Sequence, residues 1–230
     1  SAESFIPVVK TSELEFHGEV PVSKIRREPL DSIYARAFKR IFDIVFSFGI
    51  IVFVFSWLFP LLALMVKLSS KGPVFFKQVR LGKDNEEFVC WKFRSMRMNK
   101  EADSKQATKN DPRVTRVGAF LRKSNLDEMP QFFNVFLGQM SVVGPRPHPL
   151  RLNDPYRDII DKYMVRHFVR PGITGWAQVN GFRGETRTPE LMERRVELDV
   201  WYLENWSFWL DLRIVVKTVT NMLGKEENAY

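Results

Sequence analysis

Cysteine is almost absent from this chain. The single thiol, Cys90, excludes an internal disulfide and suits a reducing compartment. It sits in a strand-like stretch and reads as a small packing residue. Histidine is scarce as well: His17, His148 and His167 lack the spacing of a zinc site. His167 falls on the apolar face of a helical pattern and reads as packed rather than catalytic. No Gly-rich phosphate loop, no Gly-x-Gly-x-x-Gly fingerprint and no Gly-x-Ser-x-Gly elbow occurs. P-loop, dinucleotide and serine-hydrolase chemistries therefore lack their usual supports. The first forty residues contain no apolar h-region, so no signal peptide is read. The chain opens at Ser1 rather than Met, which reads as a processed product or a piece of something longer.

What is present is apolar mass and positive charge. Hydrophobic residues make up 45% of 230, enough for one or two small domains with a core. Lys and Arg number 35 against 27 Asp and Glu, a formal +8. That balance favours anionic partners: nucleic acid, an anionic leaflet or phosphorylated small molecules. No nucleic-acid-binding motif accompanies the charge, so the reading is no nucleic acid.

From Ile44 to Val66 there are 23 residues without a charge. As a straight helix they would run roughly 34 Å at about 1.5 Å per residue, enough to cross a hydrocarbon layer of about 30 Å. The flanks do not orient such a crossing. Arg26, Arg27, Arg36, Lys39 and Arg40 stand before it, and Lys67, Lys71, Lys77, Arg80 and Lys83 after it. The positive-inside rule needs an asymmetry, and five against five supplies none. Equal flanks suit a segment that dips in and returns; an ordinary kinked spanning helix is the alternative. Pro60 has no N–H, and its ring clashes with the carbonyl one turn back, so a kink is expected there. The freed polar groups would need partners such as Ser56 or Ser47.

Residues 1–30 read as a linker or the tail of a preceding domain, residues 31–70 as the interfacial and membrane helix, and 71–230 as a cytosolic domain. Asp31 is a candidate cap for the helix leading into the membrane segment. Val74–Val79 and Glu87–Phe93, joined through Gly82-Lys83-Asp84-Asn85, read as a β-hairpin. Residues 99–112 read as a polar loop. Short helices are expected over Arg113–Lys123 and Leu126–Leu137. Apolar spacing predicts an amphipathic helix from Tyr156 to Phe168. Two further helices are expected over Pro189–Asn205 and Ser207–Leu223. Trp201, Trp206 and Trp209 suit either a headgroup layer or a core.

One pair of carboxylates stands out. Asp127-Glu128 precedes Met129-Pro130, and a proline tolerates only the first turn of a helix. The pair is therefore expected at an open helix N-terminus, where the macrodipole favours an ionised carboxylate. An ionised aspartate is what nucleophilic attack on phosphorus requires. Ser124 and Asp127 also mimic a capping box, which would make the pair merely structural. Basic residues gather nearby: Arg122, Lys123, the proline-flanked Arg146, and Lys92 and Arg94 in the hairpin. Guanidinium forks suit phosphate contact, and an adjacent carboxylate suits a hard cation. Together these residues point to phosphoryl transfer.

At these residues the chain resembles a known family. Lys92-Phe93-Arg94-Ser95-Met96, Arg113-Val114-Thr115 through Arg122 to Asp127-Glu128-Met129-Pro130-Gln131, Ser141-Val142-Val143-Gly144-Pro145-Arg146-Pro147 and Pro171-Gly172-Ile173-Thr174-Gly175-Trp176 through Gly181 occur in that order. They closely resemble the monotopic phosphoglycosyl transferases, bacterial sugar transferases, from about Phe38 to Met222. The finer pattern is similar to the C-terminal catalytic part of undecaprenyl-phosphate glucose or galactose phosphotransferases. The resemblance implies an α+β, mostly helical fold. A re-entrant helix-break-helix at about 41–68 would join a cytosolic domain carrying a small β-hairpin and interfacial amphipathic helices, on the cytoplasmic face of the bacterial inner membrane.

It further implies Mg²⁺ dependence and two chemical steps. Asp127 attacks the β-phosphorus of a UDP-sugar and releases UMP. Polyprenyl phosphate then takes the phosphosugar, which starts exopolysaccharide, capsule or O-antigen assembly. Glu128 would hold Mg²⁺. Lys92, Arg122 and Arg146 match positions linked to catalysis or phosphate contact. One departure stands out: smaller members have Ser directly before the kink proline, whereas Phe59 precedes Pro60 here and the nearest serine is Ser56. Membrane lipids complete the expected partners, and a homo-oligomer is compatible with all of this. The competing reading is a non-catalytic membrane protein that binds anionic lipid or a partner.

Overall fold

In the computed structural model, helix runs from Ile33 to Ser69, 37 residues in all. It divides into α1 (Ile33–Gly49), a π-helical turn at Ile50–Val54 and α2 (Phe55–Ser69). The structure describes residues 12–17, 20–25, 28–98, 111–147, 163–184 and 188–224, the first two segments as strand backbone. Neither arm is long enough alone: 17 and 15 residues give about 25 and 22 Å, short of a hydrocarbon layer of about 30 Å. Departure from α-helical bonding falls at Ile50–Val54, and α2 continues through Pro60. Ser47 bonds back to its own helix, its hydroxyl donating to the Asp43 carbonyl at 2.6 Å.

Both arms pack on the same body. Buried Lys39 of α1 donates to Asp211 at 2.6 Å and to the Tyr202 hydroxyl at 3.1 Å. Asp43, also buried, accepts from the Ser141 hydroxyl and the Val142 amide, both at 2.9 Å. Arg40 caps the end of α4 (Gln131–Leu137) by donating to the carbonyls of Val135 and Phe136. From the other arm, Leu62 and Val66 join Phe93 and Leu121 in a buried cluster. Arg94 closes that arm, its guanidinium donating to the carbonyls of Val66 and Ser70. The middle of the segment also touches that body, Phe55 being buried against Phe132 and Phe133 of α4, so one body holds both ends, as the re-entrant form requires. The cap expected at Asp31 is displaced: Asp31 ends a 3₁₀ turn, Pro29–Asp31, and Ser32 precedes α1.

Among the described residues there are three two-stranded sheets. β1 (Ser12–His17) and β2 (Val20–Ile25) pair antiparallel within the stretch read as linker or tail. β3 (Phe75–Leu81) and β4 (Glu87–Phe93) form the expected hairpin, turning through Asp84 and Asn85 at positive φ. β5 (Ser141–Val143) and β6 (Gly172–Thr174) pair in parallel. That pairing brings the backbones together so tightly that a Cβ on Gly172 would lie 2.1 Å from the Gly144 nitrogen, so only glycine fits there.

The remaining α-helices among the described residues are α3 (Arg116–Lys123), α5 (Trp176–Val179), α6 (Pro189–Glu204) and α7 (Phe208–Leu223). Thr188 with Pro189 starts α6, and Ser207 starts α7, each hydroxyl accepting an amide three residues on. Residues 163–168, the end of the expected amphipathic helix, form a 3₁₀ helix; its earlier part and the loop at 99–110 lie outside the described residues. Cys90 and Tyr202 lie in the main core with Val135, Met140, Val143 and Ile214. His167 is packed against Tyr163 and meets the Asn85 amide oxygen at 2.6 Å through Nδ1. The tryptophans divide: Trp201 stacks on Trp176, Trp206 donates to Asp211, and Trp209 is exposed.

Candidate active site

The site begins where β4 runs out. The chain continues to Met96, which bridges Val114. Thr115 donates its amide to the Ser95 carbonyl and caps α3 by accepting from Gly118. A Cβ on Gly118 would lie 1.8 Å from the Ser95 oxygen, so α3 can dock at this distance only through a glycine. Docked so, Arg122 donates its Nε to the Ser95 hydroxyl at 2.8 Å.

After α3 the chain turns sharply. The Ser124 hydroxyl bonds back to the Phe120 carbonyl, and Asn125 takes φ 57. Leu126–Glu128 form a single 3₁₀ turn, and α4 starts only at Gln131. Asp127 and Glu128 therefore occupy a tight turn between two helices. They do not occupy the first turn of a longer helix, and Ser124 does not cap them. The macrodipole, which acts within a helix's first turn, is a poor account of their charge state.

Neighbouring cations account for it better. Glu128 Oε1 accepts from Lys92 Nζ and from Arg146 Nη2, both at 2.6 Å. Its Oε2 accepts from Arg146 Nη1 at 3.1 Å and lies 3.7 Å from Arg183. Burial works to raise Glu128, but Arg146 and Lys92 outweigh it and hold the carboxyl well below the usual carboxylate range. Asp127 differs. Burial first, and the charge of Glu128 second, push it up to about 6, while Lys92, Arg122 and Arg146 pull it down. At neutral pH it is mostly ionised, buried and flanked by cations.

The structure thus brings Lys92 and Arg146 onto Glu128 and places Arg122 beside Asp127. It adds Arg183, in the loop after α5, for which the sequence offers no periodic or spacing signal beyond its position two residues after Gly181. It removes Arg94, spent on the end of α2, and leaves Lys123 exposed on the surface. Pro60 and Ser56 lie in α2, with the membrane helix rather than with this cluster. The Arg146 backbone is held on both sides: Arg166 donates to its carbonyl at 2.8 Å, and Arg80 donates to the Pro147 carbonyl.

Among the described residues, no group of three or more His, Cys, Asp or Glu could hold a metal ion. Among the described residues, Asp127 and Glu128 supply carboxylate oxygens at the centre of the cluster. Mg²⁺ is commonly bound by one or two carboxylates plus substrate phosphates and waters, so the pair fits such an ion once a diphosphate is present. Both oxygens of Glu128 are engaged by cations, so a metal there would replace one of those contacts.

The site is a buried carboxylate pair with guanidiniums and an ammonium converging on it, on a body to which a long apolar helix is fastened. Over residues 34–225 the chain matches the bacterial sugar transferase family, and it belongs to that family. It is 52% identical over 92% of its length to a UDP-glucose:undecaprenyl-phosphate glucose-1-phosphate transferase of Klebsiella pneumoniae, of which it covers 45%. The same identity, over 90% of the chain and 45% of the relative, relates it to the enzyme of that description in Escherichia coli (strain K12). It is also 42% identical over 96% of its length to a UDP-N-acetylgalactosamine-undecaprenyl-phosphate N-acetylgalactosaminephosphotransferase of Aeromonas hydrophila, 53% of which it covers. The chain therefore spans about half the length of these relatives.

Proposed function

We propose that this chain transfers a sugar-1-phosphate, with glucose the first donor to test, from a UDP-sugar to polyprenyl phosphate. The carrying observation is the buried Asp127, ionised beside a Glu128 whose charge Lys92, Arg146 and Arg183 take up. In the first step an Asp127 oxygen bonds to the β-phosphorus of the donor. The bond from that phosphorus to the oxygen bridging the α-phosphate breaks, and UMP leaves with the electron pair. In the second step an oxygen of polyprenyl phosphate attacks the same phosphorus and the Asp127 carboxylate departs. The product is a polyprenyl diphosphate sugar.

Each residue has a part. Burial strips Asp127 of water, which favours its attack, while the cations keep it ionised. The guanidiniums and Lys92 can shift from Glu128 to the diphosphate as charge moves onto the leaving UMP. Glu128, with Asp127, would hold Mg²⁺, which would supply positive charge to the diphosphate oxygens. The re-entrant helix suits the geometry of the substrates, because the acceptor phosphate lies at the bilayer surface and the donor in solution. The reading places the chain at the cytoplasmic face of the inner membrane.

The test is an assay of UMP release from UDP-glucose with polyprenyl phosphate and Mg²⁺. Asp127→Asn should abolish release, and protein incubated with donor alone should gain the mass of a hexose phosphate on Asp127. Turnover retained in Asp127→Asn would sink the covalent step. A donor panel including UDP-galactose and UDP-N-acetylated sugars decides the sugar.

A further inference from the structure

Behind the carboxylate pair lies a second polar cluster that touches no reacting atom in the scheme above. Asp199 on α6 is buried at 2% exposure, with Arg166 at 3% and Arg195 at 5%. Arg166 Nη2 meets Asp199 Oδ2 at 2.8 Å. Arg195 precedes Asp199 by one helical turn on the same face, and the two attract each other. Burying this much charge is costly unless it secures something.

Each of these arginines reaches a backbone carbonyl at the site. Arg166 donates to the carbonyl of Arg146 at 2.8 Å. Arg195 donates to the carbonyl of Gly184, the residue after Arg183. Arg146 and Arg183 are the two guanidiniums that converge on Glu128. They come from segments far apart in the chain, one after β5 and one after α5. The described elements that join them behind the site are the two arginines and the carboxylate on α6.

We propose that Asp199 is a positioning residue: through Arg166 and Arg195 it holds the backbones that carry Arg146 and Arg183, and so fixes the spacing of the guanidiniums that receive the donor's diphosphate. The inference rests on the transferase reading. A fork that binds phosphate must be aimed as well as charged, and displacement of about 1 Å in such a site can cost on the order of 100-fold. Asp199 is suited to this because it sits on a rigid helix in the core, whereas Arg146 and Arg183 sit in loops.

The experiment uses the full chain in detergent or nanodiscs. Wild type, Asp199→Asn, Arg183→Ala and the double variant are compared for UMP release against UDP-glucose concentration, and for binding of UDP itself. Asp199→Asn should raise the KM for UDP-glucose by about tenfold or more and weaken UDP binding in parallel. The double variant should be little worse than the poorer single one, because Asp199 acts partly through Arg183. An unchanged KM in a folded Asp199→Asn protein, or losses that simply multiply in the double variant, would overturn the proposal. If Asp199→Asn does not fold, Arg195→Gln releases the Gly184 carbonyl while Arg166 keeps its bond to the Arg146 carbonyl, and it is read the same way. A wild type that neither binds UDP nor releases UMP removes the transferase reading itself, a result distinct from any pattern among variants.

Discussion

Arg146 holds Glu128 with two nitrogens, at 2.6 and 3.1 Å. A planar fork of this kind can be handed from a carboxylate to a phosphate without changing shape, which a lysine ammonium cannot imitate. Arg146→Lys keeps the charge and loses the fork. The expected result is a fall in kcat/KM for UDP-glucose of about 100-fold, or about 2.7 kcal/mol, read from initial rates of UMP release. A fall of less than about threefold would make the fork incidental. The same scale explains why Asp127 and Glu128 behave differently although adjacent. Glu128 is wrapped in cations on both oxygens and stays ionised well into acid. Asp127 feels burial and its neighbour's charge more than the cations, and rises to about 6. Adjacent carboxylates before a proline were visible in the sequence as a candidate site. The residues that separate their charge states come from β4, the loop after β5 and the loop after α5, which no local pattern joins.

At the scale of elements, the membrane helix is fastened by buried charge. Lys39 and Asp211 pair at 2.6 Å with side chains 9% and 1% exposed. Asp211 also accepts from the Tyr202 hydroxyl at 2.7 Å and from Trp206 at 3.2 Å. Lys39→Met would leave Asp211 buried with only neutral donors. Breaking a buried pair from one side costs about 3–5 kcal/mol, and the two remaining hydrogen bonds favour the lower figure. Thermal unfolding in detergent should show this loss, and Lys39→Met with Asp211→Asn should recover part of it. No recovery would mean that Lys39 matters by packing rather than by charge. Elements with local signals were legible beforehand. Thr188-Pro189 and Ser207 mark the starts of α6 and α7, and the β3–β4 hairpin shows in its apolar runs and its turn. The β5–β6 pair was not legible, because two three-residue strands far apart in sequence carry no periodicity. The irregular turn at Ile50–Val54 was not legible either. A proline announces a kink, whereas a π-turn depends on what the surrounding helix must fit.

For the whole molecule, that π-turn has a visible consequence. Tyr34, Phe38, Ile41, Val45, Phe48, Val52, Trp57, Leu61, Leu64 and Leu68 are all exposed, at steps of three or four residues with a single step of five. The long step, from Val52 to Trp57, starts within Ile50–Val54, where the wider turn absorbs one extra residue. One apolar face therefore continues from the first arm to the second while both arms stay attached to the body. Trp209, Val216, Val219 and Met222 of α7 add exposed apolar area. Apolar surface on this scale is stable only against lipid or protein. If the segment returns to the face it entered from, its two ends must share one side of the bilayer. Cys90 is the only cysteine and is buried, so new thiols report on a quiet background. Arg36→Cys and Lys71→Cys place exposed thiols near the two ends. In sealed vesicles a membrane-impermeant maleimide should label both from the same side, and lysis should not change their ratio. Labelling from opposite sides would mean that the helix crosses the bilayer. One arm would then have to leave the body, breaking either the Lys39–Asp211 pair or the Arg94 contacts with α2.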